Sequence, residues 1–181
     1  MQRQPSMKAP PAGLYTEEQR RRRDASPWTL VQGILAPTQF LVFLVSLALV
    51  IWYLVTGDGL AIAAWSVVIK TLVLYAIMIA GSIWEKDVFG HYLFAPAFFW
   101  EDVVSMGVIA LHTAYLVVWL GDLLPYAQQM AIALAAYAAY AVNAAQFLLK
   151  LRAARLQEAR MGAAEGHRAA PEGAAAGEGA E

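Results

Sequence analysis

Four apolar runs, each long enough to cross a bilayer, constrain this chain more than any other feature. They are "LVQGILAPTQFLVFLVSLALVIWYLV" (30–55), "AIAAWSVVIKTLVLYAIMIAGSI" (61–83), the stretch at 98–120 and "AQQMAIALAAYAAYAVNAAQFLL" (127–149). A hydrocarbon core of roughly 30 Å needs about 20 helical residues. Backbone in lipid must also satisfy its own hydrogen bonds, which leaves helices as the economical solution for such runs. With 60% hydrophobic and 15% charged residues in 181, a soluble domain could not hide the apolar surface. The expected fold is an all-α integral membrane protein, a four-transmembrane-helix bundle. Its segments are a basic N-terminal part (1–29), the transmembrane domain (30–151), and a helix extension with a disordered tail (152–181).

Short turns, "TGDGL" and "GDLLP", join the first span to the second and the third to the fourth. Gly, Asp and Pro there make tight connections, so each pair reads as a helical hairpin. The middle connection, "WEKDVFGHYLFAPA", is longer and chemically mixed. Of the 13 Lys and Arg, all but Lys70 fall in the N-terminal tail, the middle loop or the C-terminal segment, while the two short turns carry only Asp58 and Asp122. The positive-inside rule then places both termini and the middle loop in the cytoplasm. The first residues lack the order of charge, apolar run and small-residue site that a cleaved signal has, so no cleavage is expected. Thr16 with Gln19 three residues on reads as a capping box for a short helix, in which Arg20 to Arg23 either anchor topology or rest on anionic headgroups. The Gly/Ala/Glu-rich end, which includes His167, is expected to be disordered.

The chain has no cysteine, which excludes disulfides, thiol nucleophiles and zinc–thiolate sites. A net charge of −1 gives no whole-chain reason to expect nucleic acid. Function must therefore be sought in the ionisable and amide side chains of the spans, each costly there. Lys70 lies near the middle of the second span and is read either as a snorkelling or neutral amine or as a partner for an acid or ligand. On the third span Glu101, Ser105 and His112 share a face, because eleven residues at about 100° return to within roughly 20°. His112 then stands about 16 Å deeper than Glu101, near the level of Lys70. A lone membrane histidine is most simply an interhelical hydrogen-bonder. Glu101 and Asp102 have a simple reading as acids favoured at a helix N-terminus. Two in succession, with Glu85, Asp87 and His91 just before them, exceed what a cap requires.

Gln32 and Gln39 lie on one face of the first span, and Tyr140, Asn143 and Gln146 step along the fourth. Singly these are structural glue. Together with Glu85, Glu101 and Asp102 they converge on the cytoplasmic half of the bundle, where Trp84, Phe98, Phe99 and Trp100 form either an interfacial belt or the wall of a site for a flat apolar ligand. No nucleophile–base pairing, phosphate loop or convincing metal-ligand set appears. What remains is carboxylate and imidazole chemistry in an apolar pocket, where a neutral carboxyl is a usable proton donor.

The stretches "GLYTEEQRRRRDAS", "VQGILAPTQFLVFLVSLALV", "GSIWEKDVFGHYLFAPAFFWEDVVSM", "ALHTAYL" and "NAAQFLLKLRAARL" resemble the 3-vinyl bacteriochlorophyllide hydratase family of bacteriochlorophyll biosynthesis. The resemblance covers roughly residues 13 to 157. It implies a hydro-lyase that adds water to the 3-vinyl group of a chlorophyllide-type tetrapyrrole, giving a 3-(1-hydroxyethyl) product. It also implies the cytoplasmic or intracytoplasmic membrane of a phototrophic bacterium, and no cofactor of the enzyme's own. Other enzymes of that pathway, or a second copy of the chain, are compatible partners. Chemistry assigns the acid and base roles to Glu101 and Asp102, with Glu85 as third candidate. Substrate contacts are expected from His91, His112, Lys70, Trp84, Trp100, Asn143, Gln146 and Gln39. The substrate's magnesium would take His91, His112 or water as axial ligand. Two competing readings are a non-enzymatic membrane tetrapyrrole-binding or pigment-assembly subunit, and a small proton-coupled carrier; the carrier's repeats or broken helices are not evident.

Overall fold

A computed structural model describes residues 14–169. It consists of five helices: α1 (Glu17–Ala25), α2 (Pro27–Thr56), α3 (Leu60–Phe89), α4 (Phe99–Leu120) and α5 (Tyr126–Ala169). The last four are long and apolar enough to cross a membrane. The far end of the expected disordered tail, residues 170–181, lies outside the described residues.

Local chemistry accounts for the boundaries. Thr16 and Gln19 form the expected reciprocal capping box at the start of α1. Ser26 then ends α1 and caps α2, its hydroxyl accepting from the Trp28 N–H, with Pro27 in the first turn where its missing N–H costs nothing. Gly57 closes α2 and Gly90 closes α3, both with positive φ. At Gly59, also left-handed, an added Cβ would approach the Trp52 ring to 2.9 Å. That hairpin therefore needs glycine twice over.

Two boundaries differ from the sequence reading. Helix α3 does not stop at residue 83 but continues through Trp84–Phe89 to the Gly90 cap. Polar residues alone do not end a helix, and nothing before Gly90 breaks this one. Helix α5 likewise runs past Gly162 to Ala169, into a segment expected to be without structure.

α2 packs along α3 and α4 along α5, with α1 lying on α3. Small residues allow the close approaches: Ala63, Ala64 and Val67 on α3 and Ala133 and Ala136 on α5 are buried. The outward faces are strongly apolar, with Val55 and Leu120 79% and 75% exposed. In water such a surface would aggregate; in lipid it is the expected exterior. Buried polar side chains stitch the interior. The Ser46 hydroxyl meets both Ser66 and the Tyr137 hydroxyl, and the Tyr115 hydroxyl donates to the Ala64 carbonyl.

Candidate active site

Helix α3 brings Glu85 and the first turn of α4 brings Asp102 to the same end of the bundle, beneath the loop that joins them. Both are buried, 5% and 3% exposed. The connecting loop supplies consecutive backbone donors. The Phe94 N–H donates to Asp102 Oδ2 at 2.7 Å, and the Ala95 N–H to Glu85 Oε2 at 3.2 Å. Phe94 adopts φ 60°, a left-handed conformation that a bulky residue adopts only when its surroundings impose it. Pro96, next in the chain, disfavours a helical conformation at Ala95. Together these turns aim two successive amides at two acids, as anion-binding nests do.

The floor of this end is aromatic. Phe98 packs against Trp84, Phe89 and Phe147, and the Trp84 N–H donates to the Thr29 hydroxyl on α2. Trp100 does not wall the acids: it is 70% exposed on the outside of the bundle, because it precedes the buried position Asp102 by about 200° of helical turn.

Glu101 also departs from its expected place. The buried stripe of α4 begins at Asp102 and runs through Ser105, Val108, His112 and Tyr115. Glu101 is turned towards α5, where the Lys150 ammonium donates to Oε2 at 2.6 Å. Sequence reasoning had counted Lys150 only as a topology charge. The available signal was its position four residues beyond Gln146, on the same face of α5.

Lys70 and His112 are both fully buried and bond to each other, Nζ to Nε2. His112 Nδ1 meets the Val108 carbonyl at 2.8 Å. A carbonyl only accepts, so Nδ1 is the donor and Nε2 accepts from the amine. Both ring nitrogens are engaged, so His112 offers no lone pair to a magnesium ion. The Lys70 amine lies over the Tyr140 ring, 4.1 Å from its centroid. It pairs with an imidazole rather than with an acid. His91 follows the Gly90 cap and is exposed.

Of the amides, Asn143 Nδ2 donates to Ser105 Oγ at 2.8 Å. Gln39, 1% exposed, has no partner for either side-chain atom among the described residues; nor has the oxygen of Asn143 or of Gln146. An apolar groove of about 560 Å³ runs between α2 and α3, lined by Leu41, Val45, Leu49, Trp65 and Ile69 among others. None of the acids borders it.

The profile of the 2-vinyl bacteriochlorophyllide hydratase family matches residues 15–153. A protein of that name from Cereibacter sphaeroides is 68% identical over 149 residues, covering 82% of this chain and 92% of the relative. Another, from Rhodobacter capsulatus, is 66% identical over 156 residues, covering 86% and 88%. No solved structure matches the chain. The chain belongs to the 2-vinyl bacteriochlorophyllide hydratase family.

Proposed function

We propose, from this membership, that the chain is the hydro-lyase that adds water to the vinyl group of a chlorophyllide-type tetrapyrrole, with Glu85 and Asp102 as its acid–base pair. The vinyl is numbered 2 in the older ring convention and 3 in the systematic one. The observation that carries the catalytic assignment is the burial of these two carboxyls at one end of the bundle, held by two consecutive backbone N–H groups of the loop.

Hydration requires a proton on the terminal carbon and water on the internal one. The neutral member of the pair gives its proton to the terminal CH2, which becomes a methyl group. The C=C π electrons form that new C–H bond and leave a cation at the internal carbon, delocalised into the macrocycle. Two carboxylates beside it stabilise the charge, and a low-polarity site strengthens that attraction. Water then forms the C–O bond and loses a proton to one carboxylate. The pair regains the proton it gave, so the cycle closes with one water consumed and no other reactant.

In this reading Glu101 does not exchange protons; its ion pair with Lys150 fastens α5 to the start of α4. Trp84, with Phe98, forms the apolar side of the pigment site, and His91 on the adjoining loop is the axial candidate for the substrate's magnesium. The charge asymmetry supports placing both termini, the α3–α4 loop and hence the acids on the cytoplasmic side of a phototrophic bacterium's membrane. Reporter fusions after residue 58 or 122 that behave as cytoplasmic would overturn this placement.

The direct test incubates membranes containing the chain with a 3-vinyl chlorophyllide. The expected product is heavier by one water and carries a 1-hydroxyethyl group. Pigment retained without change of mass would instead indicate a binding subunit.

A further inference from the structure

We infer that the bundle interior next to Asp102 contains a site for the water consumed in the reaction, formed by the side chains of Gln39 and Asn143. The inference rests on the acid–base reading of Glu85 and Asp102 for its purpose, but its evidence is separate.

Phe43 on α2 packs against Tyr140 on α5, ring centroids 4.9 Å apart. Gln39 lies one turn before Phe43, and Asn143 just under one turn after Tyr140. α2 and α5 run in opposite directions, since the start of α2 and the later part of α5 both lie at the acid end. Both steps therefore lead towards Glu85 and Asp102, and the two amides stand at neighbouring levels. They are 1% and 7% exposed.

Between them these amides present three polar atoms without a partner among the described residues: Gln39 Nε2, Gln39 Oε1 and Asn143 Oδ1. Buried polar groups in folded proteins are almost always satisfied, by ordered water where protein supplies no partner. One donor and two acceptors match what a water molecule offers, because water can accept from Nε2 and donate to both oxygens. One of the two Asn143 Nδ2 hydrogens goes to Ser105, which follows Asp102 by three residues on the buried stripe of α4. A rise of about 4.5 Å separates those two positions. Asn143 is thus bonded to a hydroxyl on the same buried stripe of α4 as Asp102. The pigment's vinyl group arrives in an apolar ring and cannot carry water with it, so a reaction at the membrane end of the bundle needs its second substrate held in place. Gln39 and Asn143 are buried, which keeps a macrocycle away from these amides.

The test uses the full chain reconstituted in membranes, with Gln39→Leu and Asn143→Leu compared with the parent by X-ray radiolytic labelling, in which bound water is converted to hydroxyl radicals in place. Tyr140 is the reporter beside the amides. Tyr115, 0% exposed and bonded to the Ala64 carbonyl, is the dry control. Tyr140 is expected to label in the parent and to lose that label in both Leu variants, with Tyr115 unlabelled throughout. In parallel, kcat is expected to fall roughly 10- to 100-fold, the scale of a misplaced reactant, with KM for the pigment unchanged and partial recovery in Gln39→Asn. Equal Tyr140 labelling in all three proteins overturns the proposal, as does a raised pigment KM at unchanged kcat, which would make the amides pigment ligands. If Glu85→Gln and Asp102→Asn keep the parental rate while the Tyr140 label still depends on the amides, the acid–base reading fails and the water site stands.

Discussion

The bundle buries two ionisable pairs, and they are held by different means. Glu85 and Asp102 meet at the end of the bundle, and an irregular loop supplies their donors. Lys70 and His112 meet deep between α3 and α4, fixed by each other, by the Val108 carbonyl and by the Tyr140 ring. The first pair is held by backbone groups of a loop rather than by side chains of the packed helices. The second is enclosed on every side, and any change in it disturbs the core. Burial of charge-bearing groups is therefore not by itself the mark of a reactive site. The acid pair is distinguished by its place beneath the loop that joins α3 and α4, whose backbone amides hold it.

Breaking the first pair should give the largest effect. Glu85→Gln and Asp102→Asn, compared in membranes with matched protein levels, should each lower the hydration rate by roughly 10²–10⁴-fold, the usual scale for acid–base groups. The double variant should be little worse than the poorer single one, because groups that act as a unit are not additive. Pigment retention should persist in all three. A parental rate in either single variant would remove that residue from the chemistry.

The second pair should answer in stability instead. His112→Leu removes the acceptor of a buried amine, and Lys70→Met removes the donor to a buried imidazole; each should cost about 1–3 kcal/mol. The combination removes both polar groups and should recover much of the loss. Unfolding midpoints of the detergent-solubilised singles and double, read as a double-mutant cycle, measure the coupling. If Lys70→Met keeps its midpoint yet loses a hundredfold in rate, Lys70 belongs to the reaction and the contrast between the pairs collapses.

Much of this arrangement was legible from residue order. The four long apolar helices, both hairpins and the Thr16–Gln19 cap follow from local rules that tertiary packing did not override. The depth of Lys70 relative to His112 also followed from helical rise. Their mutual bond did not, because it depends on how α3 rotates against α4. The same limit explains the choice between Glu101 and Asp102. Adjacent positions diverge by about 100°, so one of them had to turn away, but only the position of Lys150 on α5 decides which. Trp84–Phe89 read as loop because "WEKD" is polar, yet a helix end rim tolerates such residues until a glycine closes it. The loop donors at Phe94 and Ala95 left no side-chain signature at all, since the groups that bind the acids are backbone.

The smallest effect should come from Glu101, and it sharpens the contrast within one helical turn. Its ion pair with Lys150 is short, 2.6 Å, and mostly shielded, the side chains being 12% and 24% exposed. The Lys150 ammonium also lies 4.8 Å from the centre of the Phe98 ring, so its attraction is divided between a carboxylate and an aromatic face. Pairs near a surface contribute about 0–1 kcal/mol. Glu101→Gln preserves shape and a hydrogen-bond acceptor, and should lower the unfolding free energy by no more than about 1 kcal/mol. The hydration rate should stay within about threefold of the parent, well below the loss assigned to an acid–base group. Lys150→Met should behave alike, and the double variant should match either single one if the pair is the whole of the interaction. A loss of a hundredfold or more in Glu101→Gln, at unchanged stability, would transfer the proton-exchanging role from Asp102 to its neighbour and reverse the assignment made from burial.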